Sequence, residues 1–406
     1  MYNQDMLLQT LKGFRDFLPL EARKRQYVIS TLQKVFELYG FEPLETPALE
    51  YEEILTGKYG EEGDKLMYKF EDNGGRRVAL RYDQTVPLAR VVAQNQSTLP
   101  TPFKRYQIQN VWRAENTQKG RFREFLQCDI DTVGSNANTT DSEILAVIAN
   151  SIQNLGFTNY KILVNERQTF LDLSTDAIIS IDKLKKIGEE AVKSELAAKG
   201  YPLETLKQIV ETPQSEVLKN IIKVANNMGV DTSAITYEPT LARGLDYYTG
   251  LIIEVEIEGY TVGSVGGGGR YDNLIGMFAG KQIPAVGFAF GFDRIIEAMD
   301  ELQLFPPSLS VTQALVTVFS PDLQEKSIEV SSFLRSENIN TELYLDVHTK
   351  MEKQLKYADQ KRIPYVIIIG PEEAEKDILT LKNLTTREQK QMTREQLIQE
   401  LQKPTS

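Results

Sequence analysis

The chain has 406 residues, with one histidine (His348) and one cysteine (Cys128). One of each excludes a His/Cys zinc site or a disulfide framework within the chain, and suits a reducing compartment. A net charge of −11, from 46 basic and 57 acidic side chains, argues against a surface that grips nucleic acid all over, while leaving room for local basic patches.

The length predicts two or three domains. Met1 to Lys12 lacks a basic run followed by an apolar core, so no secretory signal is expected. No apolar run reaches membrane-spanning length, and the expectation is a soluble, cytoplasmic protein. Val28, Leu32, Val35, Phe36 and Tyr39 are spaced as one helix face within Leu18–Gly40. An extended stretch follows at Phe41–Pro47. Lys65–Glu71 and Arg76–Tyr82 flank Asp72-Asn73-Gly74-Gly75, a hairpin signal. Phe103–Trp112 and Phe122–Val133 read as two more strands, Asp141–Leu155 as a helix and Tyr160–Val164 as a strand. From Glu166 to Ser233 the pattern turns helical and highly charged, with helices expected at Ile181–Lys199, Leu203–Glu211 and Ser215–Met228. Strands are expected at Ile235–Glu238, Leu251–Glu258 and Tyr260–Ser264, then a glycine-rich loop, a strand at Ala285–Phe290 and a helix at Asp293–Leu304. Phe305-Pro306-Pro307-Ser308 reads as a linker. Beyond it, strands and helices alternate as in a small α/β domain, with helix starts at Ser320-Pro321 and at the capping-box pattern Thr393-x-x-Gln396.

Four stretches carry candidate chemistry. Arg105, Arg113-Ala114-Glu115, Lys119, Arg121, Arg123 and Glu124 place charges on a strand, a loop and a second strand; such forks suit polyphosphates, and equally a solvated hairpin. Arg243-Gly244-Leu245-Asp246-Tyr247-Tyr248 sets an arginine and two tyrosines between glycines, as a pocket wall or a turn into a hairpin would. Gly266-Gly267-Gly268-Gly269-Arg270-Tyr271 allows close backbone approach, yet has neither the P-loop ending nor dinucleotide spacing. Gly287 to Arg294 leads a buried strand into a helix whose first turn holds an arginine, a position that the helix dipole disfavours. Gln127, Asp129 and Asp131 share one side of their strand, which suits a pocket floor as well as a face toward water. Cys128 points the other way, as a small apolar filler. His348 lies on a loop before the last helices, far from these stretches.

Together these stretches resemble the class II aminoacyl-tRNA synthetases and, among them, the histidine-specific family, over nearly the whole chain. Lys12-Gly13-Phe14-Arg15-Asp16-Phe17-Leu18-Pro19 is similar to the family's opening signature. The first helix with the strand to Pro47 is similar to motif 1, the dimer element. Arg113-Ala114-Glu115 and its loop match motif 2, and Gly287 to Arg294 match motif 3. Arg243 to Tyr248 and Gly266 to Tyr271 match the two histidine-specific stretches. Asp83 stands where one branch has glutamate; Arg81–Arg90 and Gly57-Lys58-Tyr59-Gly60-Glu61 look like the archaeal and eukaryotic branch, which has aspartate.

The resemblance implies an α+β fold: a class II catalytic domain over 1–165 and 234–305, with an antiparallel sheet and helices, a helical insertion over 166–233, and a C-terminal α/β anticodon-binding domain over 310–406. It implies ATP-dependent activation of L-histidine and transfer to tRNA(His), in a homodimer formed through motif 1. Arg113 and Arg243 would face the α-phosphate and act as the catalytic pair, while Arg121 and Arg294 would hold the outer phosphates bridged by Mg²⁺, with no protein metal ligand assigned. Glu115 would take the adenine amine. Asp83 and Thr85 would take the α-amino group, with Gln127 facing the same end. Asp131 and Tyr248 would address the imidazole, and Tyr247 would complete the wall. Lys183, Lys185 and Lys186 in the insertion, and Lys350, Lys353, Lys356, Lys361 and Arg362 near the end, are candidate tRNA contacts or solvated faces. A catalytically silent relative, such as the regulatory subunit of ATP phosphoribosyltransferase, is the competing expectation; such relatives lose the motif 2 and motif 3 arginines and the last domain, which this chain keeps.

Overall fold

The stripe Val28, Leu32, Val35 and Phe36 is the buried face of a helix at Pro19–Leu38, which starts with proline in its first turn. The computed structural model describes residues 8–56, 66–117, 120–170, 173–243, 247–307 and 309–403. The sequence segments Gly57–Glu61, Lys119 and Gly244-Leu245-Asp246 lie outside them. The chain divides into two compact units, 1–304 and 305–406.

The strands of the first unit are β1 (Glu42–Pro43), β2 (Leu49–Tyr51), β3 (Lys69–Glu71), β4 (Arg77–Leu80), β5 (Phe103–Trp112), β6 (Glu124–Val133), β7 (Tyr160–Glu166), β8 (Ile235–Tyr237), β9 (Leu251–Ile257), β10 (Gly266–Arg270) and β11 (Ala285–Phe290). Eight of them form one sheet in the order β1-β5-β6-β11-β10-β9-β7-β8, and β2-β4-β3 form a second. The large sheet is antiparallel except at its two edges, where β1 pairs with β5 and β8 with β7 in parallel. The helix at Asn138–Asn154 buries Ile144, Leu145, Ile148 and Ile152 and packs on β11 and β7 and on the first helix. The opposite face of the central strands is left for the site.

The glycine-rich stretch is not a loop. Gly266–Arg270 is a central strand, paired on both sides, with Gly268 opposite Phe288 and Ile253. A Cβ at Gly268 would overlap the carbonyl of Gly287, and one at Gly269 the carbonyl of Leu251. The glycines serve close approach of neighbouring backbones, which outweighs the poor strand propensity that made the stretch read as a loop. The expected strand at Tyr260–Ser264 does not form: Gly263 has φ +132°, and the chain rejoins the sheet at Val265, whose N–H donates to the Val255 carbonyl at 2.8 Å.

The helical segment after β7 shares its core with the sheet. Phe170, Ala177, Ile178, Ile181, Val192 and Leu196 pack with Leu163, Leu241, Ala242 and Ile252. The single helix expected at Ile181–Lys199 is three pieces, Thr175–Asp182, Leu184–Ile187 and Glu189–Ala198. Gly188, at φ +79°, makes the second break, a conformation that other residues rarely adopt. Helix Glu216–Asn227, capped by Ser215, packs instead on Asn138–Asn154, where Ser142 Oγ donates to the Ile221 carbonyl at 2.8 Å.

The second unit adds β12 (Ala314–Val316), β13 (Thr341–Leu343), β14 (Tyr365–Ile368), β15 (Leu379–Asn383) and β16 (Gln389–Met392) in the order β13-β12-β14-β15-β16. The first three are parallel and the last two pairings antiparallel. Helices at Gln324–Ser336, Met351–Gln360 and Arg394–Leu401 complete an α/β unit. Thr393 and Gln396 form the expected capping box. Ser320 makes no side-chain cap; the chain enters the helix through a 3₁₀ turn at Pro321–Leu323. The polar edge strand β16 and the short helix Pro371–Lys376 carry no apolar period and were not legible in the sequence. His348 is exposed, and its backbone N–H donates to Asp346 at 3.0 Å. Among the described residues no helix is long and apolar enough to cross a membrane.

Gly268→Ala forces two backbones apart in the middle of the sheet. It is expected to destabilise the first unit by about 3 kcal/mol or more, read as a loss of soluble protein or a clear fall in its melting temperature. An alanine variant as stable as wild type would show that the strands are not packed so closely.

Candidate active site

Strand alternation on β6 puts Gln127, Asp129 and Asp131 on the face opposite the apolar Cys128, all of them buried. Register sets Arg105 of β5 beside Asp131 and Gln109 beside Gln127. Arg105 is fully buried, its Nη2 lies 2.6 Å from Asp131 Oδ2, and it lies 4.0 Å from Asp129 Oδ2. Tyr271 donates its hydroxyl to Asp131 Oδ1. Gln127 Nε2 donates to Asp129 Oδ2 at 2.8 Å. On the next strand, a Cβ at Gly287 would overlap the Asp131 carboxylate, so glycine there makes the space. Gln127 Oε1 and Asp129 Oδ1 are buried with no hydrogen-bond partner, which is rare for buried polar atoms and leaves them free to meet a ligand.

Around this floor stand aromatic and polar walls. The Tyr247 and Tyr248 rings lie 4.4 Å apart, and Tyr247 meets Tyr271 edge-on at 6.2 Å. Asp83 Oδ1 accepts the Val86 N–H at 3.2 Å at the start of helix Thr85–Gln94, which fixes Asp83 and Thr85 beside each other.

The other end of the cavity is cationic. Arg113 donates from Nε to the Tyr82 carbonyl at 2.9 Å and lies over Phe125. Arg243 lies over Gly267, where a Cβ would overlap its guanidinium; it bonds Glu254 at 3.1 Å and the Gly266 carbonyl at 3.2 Å and keeps 36% of its side chain exposed. Arg294, in the first turn of helix Phe292–Glu301, donates to the Ser264 carbonyl at 2.8 Å. Arg121 is half exposed, 3.7 Å from Glu115.

Asp83, Thr85, Arg113, Glu115, Arg121, Gln127, Asp131, Arg243, Tyr247, Tyr248 and Arg294 all line a single cavity of about 590 Å³. A model described as histidyl-tRNA synthetase matches residues 13–202 and 192–295, and an anticodon binding domain model matches 313–404. The chain belongs to the histidyl-tRNA synthetase family. A protein named histidine--tRNA ligase from Cytophaga hutchinsonii is 39% identical, over 96% of this chain and 98% of that one. The histidyl-tRNA synthetase structure from Nostoc sp. PCC 7120 has a TM-score of 0.87 at 30% identity, covering 98% of this chain and 99% of that one. A structure titled as an ATP phosphoribosyltransferase regulatory subunit/histidyl-tRNA synthetase from Bacillus halodurans C has a TM-score of 0.73 at 20% identity, over 87% of this chain and 97% of that one, and shares the fold.

Some contacts of this synthetase-family site were not legible in the sequence. Arg105, expected among the charges that suit a polyphosphate or a solvated hairpin, is instead fully buried and holds Asp131 together with Tyr271, a contact that only the register of β5 on β6 reveals. Asp293 accepts from Arg15 and from Arg25, each at 2.9 Å, joining the opening segment and the first helix to the turn before Arg294. Of the insertion lysines, Lys183 pairs with Glu195 and Lys185 with Glu256. Near the end of the chain Lys361 pairs with Glu342, while Lys350, Lys353, Lys356 and Arg362 are exposed. Burial drives the Cys128 thiol well above its ordinary value, as suits a filler.

Burial pushes the Asp129 carboxyl up to about 7 and Asp131 to about 6; Arg105 opposes both, and Asp83 adds to both. An unfolded aspartate loses its proton near 3.8, so between that pH and 7 the folded chain binds more protons and rising pH lowers its stability. Without ligand, Asp129→Asn is therefore expected to raise the melting temperature at pH 8 by on the order of 5 °C, a gain that fades toward pH 4. Calorimetry across that range checks it; an asparagine variant less stable than wild type at pH 8 would refute the burial cost.

Proposed function

We propose that the chain is a histidine–tRNA ligase that activates L-histidine with ATP and then esterifies the 3′-terminal adenosine of tRNA(His). The observation that carries the reading is one cavity with a buried carboxylate floor at one end and unsaturated arginines at the other. The floor suits an ammonium and a ring with two nitrogens; the arginines suit a polyphosphate.

The first step joins two anions. A histidine carboxylate oxygen attacks the α-phosphorus, a P–O bond forms, and the bond to the bridging oxygen breaks to release pyrophosphate. Repulsion must be cancelled beforehand, and negative charge grows on the α-phosphate in the transition state. Arg113 and Arg243 meet that charge as the catalytic pair. Arg243 is already anchored by Glu254 and Gly266, so little reorganisation is needed. Arg121 and Arg294 take the outer phosphates, and Glu115 turns from Arg121 to the adenine amine. Asp83 and Thr85 hold the α-ammonium with Gln127, Asp131 and Tyr248 bond the ring nitrogens, and Tyr247 closes the wall. A site that satisfies both nitrogens rejects analogues lacking them by roughly 10⁴–10⁵. In the second step a ribose hydroxyl attacks the histidyl carbonyl and AMP leaves.

Magnesium fits as a counter-ion that enters with ATP. Among the described residues no group of three or more His, Cys, Asp or Glu side chains could hold a metal, and Glu115, Glu254 and Asp293 are each within reach of arginines. The ion would neutralise the outer phosphates there, and Arg243 supplies a fixed cation at the reacting one. The 310–406 domain takes the anticodon stem, the 166–233 insertion clasps the acceptor arm, and the motif 2 loop (116–120) meets the acceptor end. The protein acts in the cytoplasm as a homodimer through the first helix and the strand after it.

Histidine-dependent ATP–pyrophosphate exchange across the standard amino acids tests the reading; activation of a different amino acid, or of none, overturns it. Arg243→Ala is expected to slow exchange by on the order of 10²–10³-fold, as for loss of one transition-state donor. A wild-type rate in that variant would remove Arg243 from the mechanism. Asp131→Ala should raise the KM for histidine far more than that for ATP, and equal losses would sink the pocket assignment.

A further inference from the structure

Arg243 sits at a boundary on the site face of the large sheet. Toward β10 and β11 that face opens into the cavity, which Arg243 and Gly267 both line. Toward β7 it is covered by the insertion. Leu163 of β7 and Ile252 of β9 pack there with Ile178 and Ile181, and with Leu241 and Ala242, the two residues before Arg243. Glu254 stands between the two regions. Register pairs it with Gly267 of β10 on one side and with Leu163 on the other. It shares its face of β9 with Ile252 and Glu256, and Lys185 of the insertion bonds Glu256 at 2.7 Å.

Two cross-strand neighbours therefore build a seat for one guanidinium. Gly267 is its floor: a Cβ there would lie 2.0 Å from Arg243 Nη1 and 2.4 Å from Cζ, so glycine lets the group lie flat on the strand. Glu254 is its wall, with Oε2 3.1 Å from Nη1 and only 19% of its side chain exposed. The Gly266 carbonyl takes the same nitrogen at 3.2 Å. Among the described residues both anchors use Nη1, so Nε and Nη2 keep their donors for an anion in the cavity. Asp182, from the insertion, brings a second carboxylate near this pair. Burial pushes it above its ordinary value, Arg243 opposes the rise and Glu254 adds to it. An arginine without such a wall spreads over many rotamers, whereas a carboxylate fixes the direction of its fork.

We propose that Glu254 is a positioning residue for the activation step, acting through Arg243, whose guanidinium it holds over Gly267 for the α-phosphate. The inference rests on histidine activation being the reaction and on Arg243 meeting that phosphate. Glu254 forms and breaks no bond in the reaction. The outer phosphates belong to Arg121 and Arg294. Loss of the wall therefore misdirects a cation needed in the transition state and leaves ATP affinity nearly intact.

The test is histidine-dependent ATP–pyrophosphate exchange by the full-length chain, with kcat and the KM for ATP read separately. Glu254→Ala is expected to lower kcat about 10- to 100-fold, less than losing Arg243 itself, while the KM for ATP stays within about threefold. Glu254→Gln, whose amide oxygen still accepts from Nη1, should recover part of that loss. Gly267→Ala is the independent arm: its Cβ displaces Arg243 and leaves Glu254 in place, and kcat should fall over the same range. In an Arg243→Ala background neither alanine variant should slow exchange by more than about twofold again, because each acts only through the guanidinium. A wild-type kcat in Glu254→Ala or in Gly267→Ala, or an equal loss with and without Arg243, would overturn the proposal. Gly267→Ala and Glu254→Gln carry the same comparison if Glu254→Ala does not fold. Absence of histidine-dependent exchange in wild type, or a wild-type rate in Arg243→Ala, would instead remove the reading on which the inference stands.

Discussion

On the site face of the large sheet the usual layer of side chains is missing along its central strands. Gly267, Gly269 and Gly287 stand where β-branched residues would be expected, and added Cβ atoms would overlap Arg243, the Leu251 carbonyl or the Asp131 carboxylate, while Gly266 and Gly268 turn to the other face of the sheet. Glycine in a strand costs roughly 0.5–1 kcal/mol relative to alanine through backbone entropy alone. The flanking strands offset this with Ile252, Ile253, Val255, Val286, Phe288 and Phe290, all buried. The vacated layer is what lets a guanidinium lie flat on one strand and a carboxylate stand against the next. Arg243 and Asp131 therefore depend on the same absence, although they belong to opposite ends of the cavity.

Charge is distributed along that cavity by the same logic. At the floor, two buried aspartates share one fully buried arginine, and their carboxyls titrate far above the ordinary range. At the phosphate end the arginines are held by single carbonyls or by a carboxylate, so donors remain for a ligand. A site that keeps polar groups unsatisfied gives up stability to gain fixed dipoles where charge will develop, and it needs no protein imidazole to do so. That squares with a chain whose single histidine lies exposed in the other unit.

The sequence made the arginines and tyrosines legible because each sits in a short run with its own spacing, and the family resemblance ordered those runs. The alternation on β6 was also legible, and with it the shared face of Gln127, Asp129 and Asp131. What escaped was set by pairing across strands. Gly266–Gly269 read as a loop because propensity favours that for four glycines, whereas tertiary packing makes them a strand. Arg105 reads, by sequence alone, as one of the charges that suit a polyphosphate or a solvated hairpin; register places it beside Asp131. The break at Gly188 and the edge strand at Gln389–Met392 show the same limit: one is a backbone conformation hidden inside an apolar period, the other a strand with no period at all.

One further coupling joins the opening segment to the phosphate end. Arg15 lies 3.2 Å over the ring of Phe122, beside the motif 2 loop, and its guanidinium also bonds Asp293. Arg25, from the first helix, reaches the other oxygen of Asp293. Asp293 occupies the first turn of its helix, where a carboxylate is favoured by the backbone dipole that disfavours its neighbour Arg294. The two adjacent charges thus divide the work: Asp293 anchors the turn to two other elements, and Arg294, held through Ser264, is left facing the cavity. A cation at a helix start, which the sequence alone marks as disfavoured by the dipole, is offset by the residue before it. The anchoring therefore reaches motif 2, motif 3 and the first helix through a single carboxylate.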